Sequence, residues 1–410
     1  MNFFKSILRW FTTKLWFEKV FLIIILLRPI IEPFYYLKSQ SILFSPLYWI
    51  AFITFFISII GIFSNSKYKS NLDYSFSFWT IFVLLNLFFL YFSTTIIDYV
   101  ILFLKLIYPV IIFYFLRGLI KTKEDFKNIL SFFLLSSLTA FLWLIYDIGQ
   151  NGFNLRLKSS FADVVNYGLY ANMGFLIISY FFISKKENFL SKNTRITLFI
   201  IILILVVLTH FAIKHLSSIG VTVLILAFFQ WYSLKKNISN FFFAFLLICS
   251  LFFGIADKIY QQVIQERIVK EVEIVEGTRA KSQALHGRAT RWDWLWKEFT
   301  KQSLPVQLVG FPTSIQKSEY MIGITPHNDF LRILFFTGFF GLICYLYFLF
   351  SVLKLIKYFL FYERFLLYTG FFMYIIYSFS TVPTFYPGFN NFIFSLFAIC
   401  ALPIKKAHEE

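Results

Sequence analysis

The chain has 410 residues, of which 59% are hydrophobic and 14% are charged, and its formal net charge is +17. Soluble domains average roughly 45–50% apolar and about 25% charged residues, so a water-soluble packing of this chain would expose large apolar surfaces. Nucleic acid is excluded as the partner of the positive charge, because the Lys and Arg lie in short connections between apolar runs. The composition therefore predicts an all-α polytopic membrane protein.

Twelve apolar segments approach the roughly 20 residues that a membrane-spanning helix needs. The predicted spans are 19–37, 44–63, 75–94, 98–116, 128–148, 166–184, 196–213, 217–234, 239–256, 328–353, 365–382 and 387–404. A membrane β-barrel would show alternating segments of about ten residues, whereas these runs are continuous. The apolar pattern therefore predicts about twelve transmembrane helices.

The distribution of positive charge predicts the orientation of these spans. With the N-terminus in the cytoplasm, 21 Lys and Arg lie in or beside the cytoplasmic connections, against 4 in the short connections on the other side. Short cytoplasmic connections carry an excess of Lys and Arg in membrane proteins. Both termini are therefore predicted to be cytoplasmic.

One connection is much longer than the others. Residues 257–326 form a predicted extracytoplasmic loop, which separates nine spans in 1–256 from three spans and a cytoplasmic tail in 327–410. Long loops are exempt from the charge rule, so the basic second half of this loop is available for a function. Apolar residues recur at three- and four-residue spacing over 284–300, which predicts an amphipathic helix lying at the membrane interface.

His327 lies where the long loop re-enters the membrane, directly before Asn328. A neutral imidazole at this position is suited to act as a general base, because its ordinary pKa is near neutrality. The alternative is that His327 only anchors the start of the helix.

Arg288 and Arg291 lie about one turn apart in the loop, next to Trp292. Two guanidiniums at this spacing can hold a phosphate or diphosphate with paired hydrogen bonds. The alternative is that they bind lipid headgroups. Two shorter outer connections add positive charge, with Lys214 and His215 in one and Arg156 in the other.

Some ionisable residues lie in or next to predicted spans, among them Glu32, Asp98, Lys105 and Asp147. Such residues are functional candidates by default, but most lie near helix ends, from which a side chain can reach the headgroups, and Lys105 is the hardest to explain. The sequence contains no phosphate-binding loop, dinucleotide fingerprint or metal-ligating motif. Cys249, Cys344 and Cys400 lie inside apolar runs, which also argues against a disulfide framework. No cofactor and no metal are predicted.

Two segments resemble motifs of the O-antigen ligase and polymerase family. In 326–341 a His-Asn pair opens a helix and a Gly-x-x-Gly follows, and 287–311 contains Gly-Arg, then Trp, then a later Gly-Phe turn. The segment 153–172 is similar to the approach to a middle helix of that family. The chain departs from the family by having no arginine beside Ser217 and Ser218, so that Lys214 or His215 would supply the charge, and by having Thr337 where a Glu is usual.

The resemblance implies an inverting, metal-independent glycosyltransferase on the outer side of the cytoplasmic membrane. Its donor would be a glycan on undecaprenyl diphosphate, and its acceptor another lipid-linked glycan (polymerase) or lipid A-core (ligase). His327 would be the base, and Arg288 would hold the diphosphate with help from Arg291 or Arg156. Asn328, Trp292 and Arg332 would support this site.

Other classes of membrane protein remain open. A flippase for lipid-linked oligosaccharides would also have twelve or more spans, but it would need charge inside the bundle and no long outer loop. A structural membrane scaffold would give no role to His327. Between polymerase and ligase the sequence makes no firm choice.

Overall fold

The computed structural model describes residues 2–39, 44–64, 70–85, 87, 96–152, 157, 160–161, 163–184, 191–236, 242, 245–246, 260–310 and 327–402. The helices are α1 Asn2–Thr12, α2 Trp16–Ile31, α3 Pro46–Ser64, α4 Asn71–Leu85, α5 Ile96–Leu119, α6 Lys123–Asn151, α7 Val165–Ile183, α8 Lys192–Ile213, α9 Leu216–Lys236, α10 Glu266–Val275, α11 Arg288–Thr300, α12 Leu304–Val309, α13 Asp329–Ile356, α14 Phe361–Ser380 and α15 Pro387–Ile399. Short 3₁₀ or π turns cover Glu32–Ser39, Tyr260–Gln265, Lys281–Gly287 and Pro383–Phe385. The described residues contain no strand, so the prediction of an all-α fold is confirmed for them.

Within the described ranges, six helices are long and apolar enough to cross a membrane. They are Trp16–Leu37, Pro46–Ser64, Lys123–Asn151, Lys192–Ile213, Leu216–Lys235 and Asp329–Ile356. The predicted span 239–256 lies almost entirely outside the described residues, as does the second half of 75–94. The chain is therefore helical with several membrane-length helices, and the count of twelve stays a prediction.

Helix α7 forms the centre of the bundle, since every one of its residues is buried. It packs against α6, α8, α9 and α14. A helix that is apolar all round and touches neighbours on every side is typical of the interior of a large helical assembly. Helix α7 is therefore held firmly by its neighbours along its whole length.

Pro29 lies inside α2, two residues before the helix ends at Ile31. Pro29 has no N–H to donate to the carbonyl of Ile25. The hydroxyl of Ser136 on α6 donates to that carbonyl instead, at 2.8 Å. Within an apolar bundle an unpaired carbonyl is costly, and a neighbouring serine removes that cost. The helix therefore continues past Pro29 into the 3₁₀ turn that carries Glu32.

Two glycines bring the end of α12 against α13. Gly338 has a φ of 66° and breaks α13 into two straight segments, and Gly310, with a φ of 99°, ends α12. A Cβ on Gly310 would lie 2.3 Å from the carbonyl oxygen of Phe336, and one on Gly338 would lie 2.3 Å from that of Leu308. Only glycine at both positions permits this backbone contact. The two glycine motifs recognised separately in the sequence thus form one contact.

The predicted loop helix begins later than expected. It starts at Arg288, and the preceding turn contains Leu285 and Gly287 with φ of 51° and 77°. These left-handed conformations end the helical repeat, which leaves Leu285 half exposed. Further along α11, Leu295 and Phe299 pack against Leu334 and Phe335 of α13. The loop helix is therefore fixed to the start of α13.

Asp147 and Glu32 lie near the ends of predicted spans, and this position predicts that their side chains reach towards the lipid headgroups. In the structure both carboxylates are buried instead. Asp147 accepts hydrogen bonds from the Tyr167 hydroxyl at 2.6 Å and from the Ser160 N–H at 2.7 Å. Glu32 is also buried with partners. Local hydrogen bonds hold these side chains inside, because an unpaired charge there would cost several kcal/mol, of order 5. Lys105 is exposed on α5, and the Asp98 side chain lies outside the described part.

Candidate functional site

The ends of several helices meet beside the start of α13, and His327 lies among them. Its backbone has a φ of 47°, which places it just outside the helix, and the next residue caps the helix. The Asn328 side-chain oxygen accepts from the N–H of Leu331 at 3.0 Å. Asn328 is thus the N-cap of α13. No described residue forms a hydrogen bond with the His327 ring.

The surroundings of His327 favour its neutral form. Burial lowers the pKa of His327, and the charges of Arg288 and Arg291 lower it further, while Asp163 acts in the opposite direction. Cations near an imidazole disfavour its protonation. The ring is therefore an uncharged acceptor at neutral pH, as a general base requires.

Arg288 and Arg291 come to His327 from the first turn of α11. Both side chains are half-buried, and they are three residues apart on one face of the helix. This turn lies next to the start of α13 because the backbones at Gly310 and Gly338 are in contact and because α11 packs on α13. Two predicted cations and the predicted base are thus brought together. Trp292, also predicted to support the site, is half-buried on the same helix.

A carboxylate and a phenol complete the cluster, and sequence reasoning did not select either as a site residue. The Tyr386 hydroxyl donates to Asp163 Oδ2 at 2.7 Å, and Asp163 Oδ1 accepts from the N–H of Val165 at 2.9 Å. Burial raises the pKa of Tyr386, and the charges of Asp163 and Glu32 raise it further. Tyr386 therefore stays protonated, and its hydrogen bond holds Asp163 in place. The charge of Asp163 raises the pKa of His327, whereas the two arginines lower it.

Arg332, which is predicted to support the site, is buried and forms hydrogen bonds at the start of α13. Its Nε donates to Asp329 Oδ1 at 2.8 Å, its Nη2 donates to the Thr384 hydroxyl, and that hydroxyl donates to Asp329 Oδ1 at 2.8 Å. These bonds tie the start of α13 to the turn before α15. Tyr386, two residues after Thr384, is positioned as a result.

A second buried ion pair lies next to Tyr386. Arg28 Nε donates to Glu32 Oε2 at 2.9 Å, and the Asn166 amide donates to Glu32 Oε1 at 2.9 Å. A narrow cavity beside this pair is lined by Arg28, Glu32, Asn166 and Gly388. The charge of Glu32 in this pair also acts on Tyr386, whose hydroxyl binds Asp163.

The predicted pair Lys214 and His215 belongs to a different cluster. Lys214 ends α8 in the left-handed conformation, with a φ of 49°, and His215 is buried, with Nδ1 hydrogen-bonded to the Ser218 hydroxyl at 2.9 Å. Neither residue is among the charges that act on His327. Arg156 lies outside the described residues. Among the described residues, the arginines whose charges act on His327 are thus Arg288 and Arg291.

Comparison with known proteins adds nothing to this geometry. No protein-family model matches the chain, and no curated protein matches it. Among the described residues, no three His, Cys, Asp or Glu side chains lie close enough together to hold a metal ion. The functional argument therefore rests on the cluster itself and on the motifs that supply its residues.

Proposed function

We propose that the chain is a membrane glycosyltransferase that moves a glycan from undecaprenyl diphosphate to a sugar hydroxyl. The observation that carries the proposal is the position of His327 beside two arginines that share one helix face. Its half-buried imidazole has no hydrogen bond to a described residue. A base for a hydroxyl and a clamp for a diphosphate are the two groups that such a transfer needs.

In the proposed reaction His327 accepts the proton of the acceptor hydroxyl as its oxygen attacks the anomeric carbon. The bond from that carbon to the diphosphate oxygen breaks, and the diphosphate leaves with the bonding electrons. Arg288 and Arg291 neutralise the charge that develops on it, which lowers the barrier without a metal. Attack from the face opposite to the diphosphate inverts the anomeric configuration. Asp163 and Tyr386 orient the groups around His327.

The proposal includes twelve spans, with both termini in the cytoplasm and the site on the outer side of the cytoplasmic membrane. Supporting it, the residues of the cluster belong to the end of α2, the start of α7 and the starts of α13 and α15. The positive-charge count independently assigns each of those helix ends to the outer side. A different orientation of any one helix would separate the residues that lie together.

The test is turnover by the purified chain in nanodiscs with an undecaprenyl-diphosphate-linked oligosaccharide. We expect His327→Asn to lose about 10²–10⁴-fold in rate, the usual contribution of a general base, because the amide keeps a hydrogen bond but accepts no proton at neutral pH. Elongated lipid-linked products identify a polymerase, and products formed only when lipid A-core is added identify a ligase.

The control is Lys297→Gln, which removes an exposed cation from the outer face of α11 and is expected to leave turnover unchanged. Full turnover by His327→Asn would refute the catalytic assignment. Transport of the intact lipid-linked substrate without any glycosidic product would favour the flippase.

A further inference from the structure

Helix α1 is amphipathic, and one part of its apolar face is fixed to the rest of the protein. Ile7 and Trp10 are buried, and the Trp10 Nε1–H donates to Asp125 Oδ1 at 2.8 Å. Lys14, just after the helix, pairs with the same carboxylate at 2.5 Å. The helix therefore has a defined orientation next to the start of α6.

The other part of the apolar face is largely exposed to solvent. Phe4 and Leu8 lie one helical turn apart and are 65% and 63% exposed. Beside them on the helix surface lie Lys5 and Arg9, both exposed. Exposed aromatic and aliphatic side chains flanked by cations are typical of helices that lie in a membrane interface.

The bilayer surface lies within reach of α1 by chain length alone. Only three residues separate Thr12 from Trp16, where α2, a helix of membrane-spanning length, begins. Four peptide steps of extended chain cover at most about 14 Å, and Trp16 itself is exposed, as an aromatic side chain at headgroup level would be. Helix α1 therefore lies close to the membrane surface on the side where α2 starts.

The positive charge of residues 1–17 favours an anionic lipid surface. Between residues 1 and 17 the sequence contains Lys5, Arg9 and Lys14 and no acidic residue. Lys14 is neutralised by Asp125, so Lys5 and Arg9 remain as the cations on the exposed side. Cations next to an anionic leaflet each contribute about fivefold to binding, equivalent to about 1 kcal/mol.

We propose that α1 is a binding site for anionic lipid headgroups. Phe4 and Leu8 insert between the acyl chains, and Lys5 and Arg9 contact the headgroup phosphates, while Trp10 and Lys14 transmit the position of the helix to α6 through Asp125. This site is separate from the His327 cluster and does not depend on the proposed transferase activity.

The experiment is hydrogen exchange of the amides in 2–12, with the full chain reconstituted in nanodiscs of phosphatidylcholine, alone or mixed with phosphatidylglycerol. We expect exchange to be slower in the anionic nanodiscs, by roughly twentyfold for two cations at about fivefold each. The double variant Lys5→Gln/Arg9→Gln should exchange equally fast in both lipids. Lys297→Gln, which removes an exposed cation elsewhere, should retain the dependence on lipid charge.

A second variant separates insertion from charge. Phe4→Ser/Leu8→Ser should exchange faster than the wild type in both lipids, because the inserted side chains are lost. Equal exchange of the wild type in both lipids would overturn the proposal. Protection that rises with protein per nanodisc and ignores lipid charge would overturn it too, and would assign the face to a second copy of the chain.

Discussion

Two histidine clusters at the helix ends contrast in what surrounds their rings. The His327 ring is half-buried, makes no hydrogen bond to a described residue and lies in the field of two arginines. His215 and His210 lie in a network inside the bundle, where His215 Nδ1 is bound to Ser218 at 2.9 Å and His210 Nε2 to Thr222 at 2.5 Å.

The second network joins four helices. Asn172 of α7 donates to the Tyr377 hydroxyl of α14 at 2.7 Å, Tyr377 donates to the Ser218 hydroxyl of α9 at 3.0 Å, and Thr222 donates to Asn172 Oδ1 at 2.5 Å. His210 of α8 is 4% exposed, so even its second nitrogen is out of reach of a substrate. A histidine near a helix end is therefore a catalytic candidate only where its ring is accessible and has no hydrogen bond to the described part of the protein.

After His327→Asn, the largest change in turnover is expected from substituting an arginine beside His327. Arg288→Lys keeps the charge but removes the planar fork, so we expect turnover to fall roughly tenfold to hundredfold, as for one lost charge-assisted hydrogen bond of about 1.5–3 kcal/mol. Lys214→Gln, a cation of the other cluster, should change turnover much less. Rates of both variants in the same nanodisc assay test this. Equal losses would mean that the two clusters act as one site.

Tyr377→Phe should affect stability and leave catalysis intact. It removes the hydroxyl between Asn172 and Ser218, and leaving buried polar partners unsatisfied costs about 1–3 kcal/mol. Thermal unfolding in detergent should show a lower midpoint, with turnover per folded molecule unchanged. Tyr368→Phe on the same helix is the matched control, because the Tyr368 hydroxyl has no hydrogen bond to a described residue. A loss of turnover without a loss of stability would make this network part of the active site.

The smallest effect is on the pH profile. Turnover should fall as pH drops through the pKa of His327, and the fall should occur below the ordinary range because burial and Arg288 and Arg291 lower that pKa. Asp163→Asn removes a charge that favours the imidazolium, so the pH at which turnover falls to half should be lower than in the wild type. Arg291→Gln removes a charge that disfavours the imidazolium, so this midpoint pH should be higher.

Each of these shifts should be about one pH unit or less. The two variants are each other's control, since a general loss of structure would not move the midpoint in opposite directions. Shifts of the same sign, or an unchanged midpoint in both, would show that His327 is not the group that titrates.

Part of the candidate site was predictable from the sequence, because it lies in short local motifs. His327 and Asn328 stand at a helix start that capping chemistry makes recognisable, and Arg288 and Arg291 have the spacing of one helix face. Tyr386 gave no such signal. Its importance comes from the bond to Asp163, which lies more than two hundred residues earlier in the chain, and no local pattern encodes that pairing.

The sequence by itself determined the membrane class and the helical architecture, since apolar run length and the need to pair every backbone group within the segment are local properties. The tertiary structure decided which residues from distant segments meet. It joined Gly310 to Gly338, which carries Arg288 to His327, and it assigned His215 to a closed network. These outcomes depend on packing and on hydrogen bonds between distant segments, which periodicity and composition do not specify.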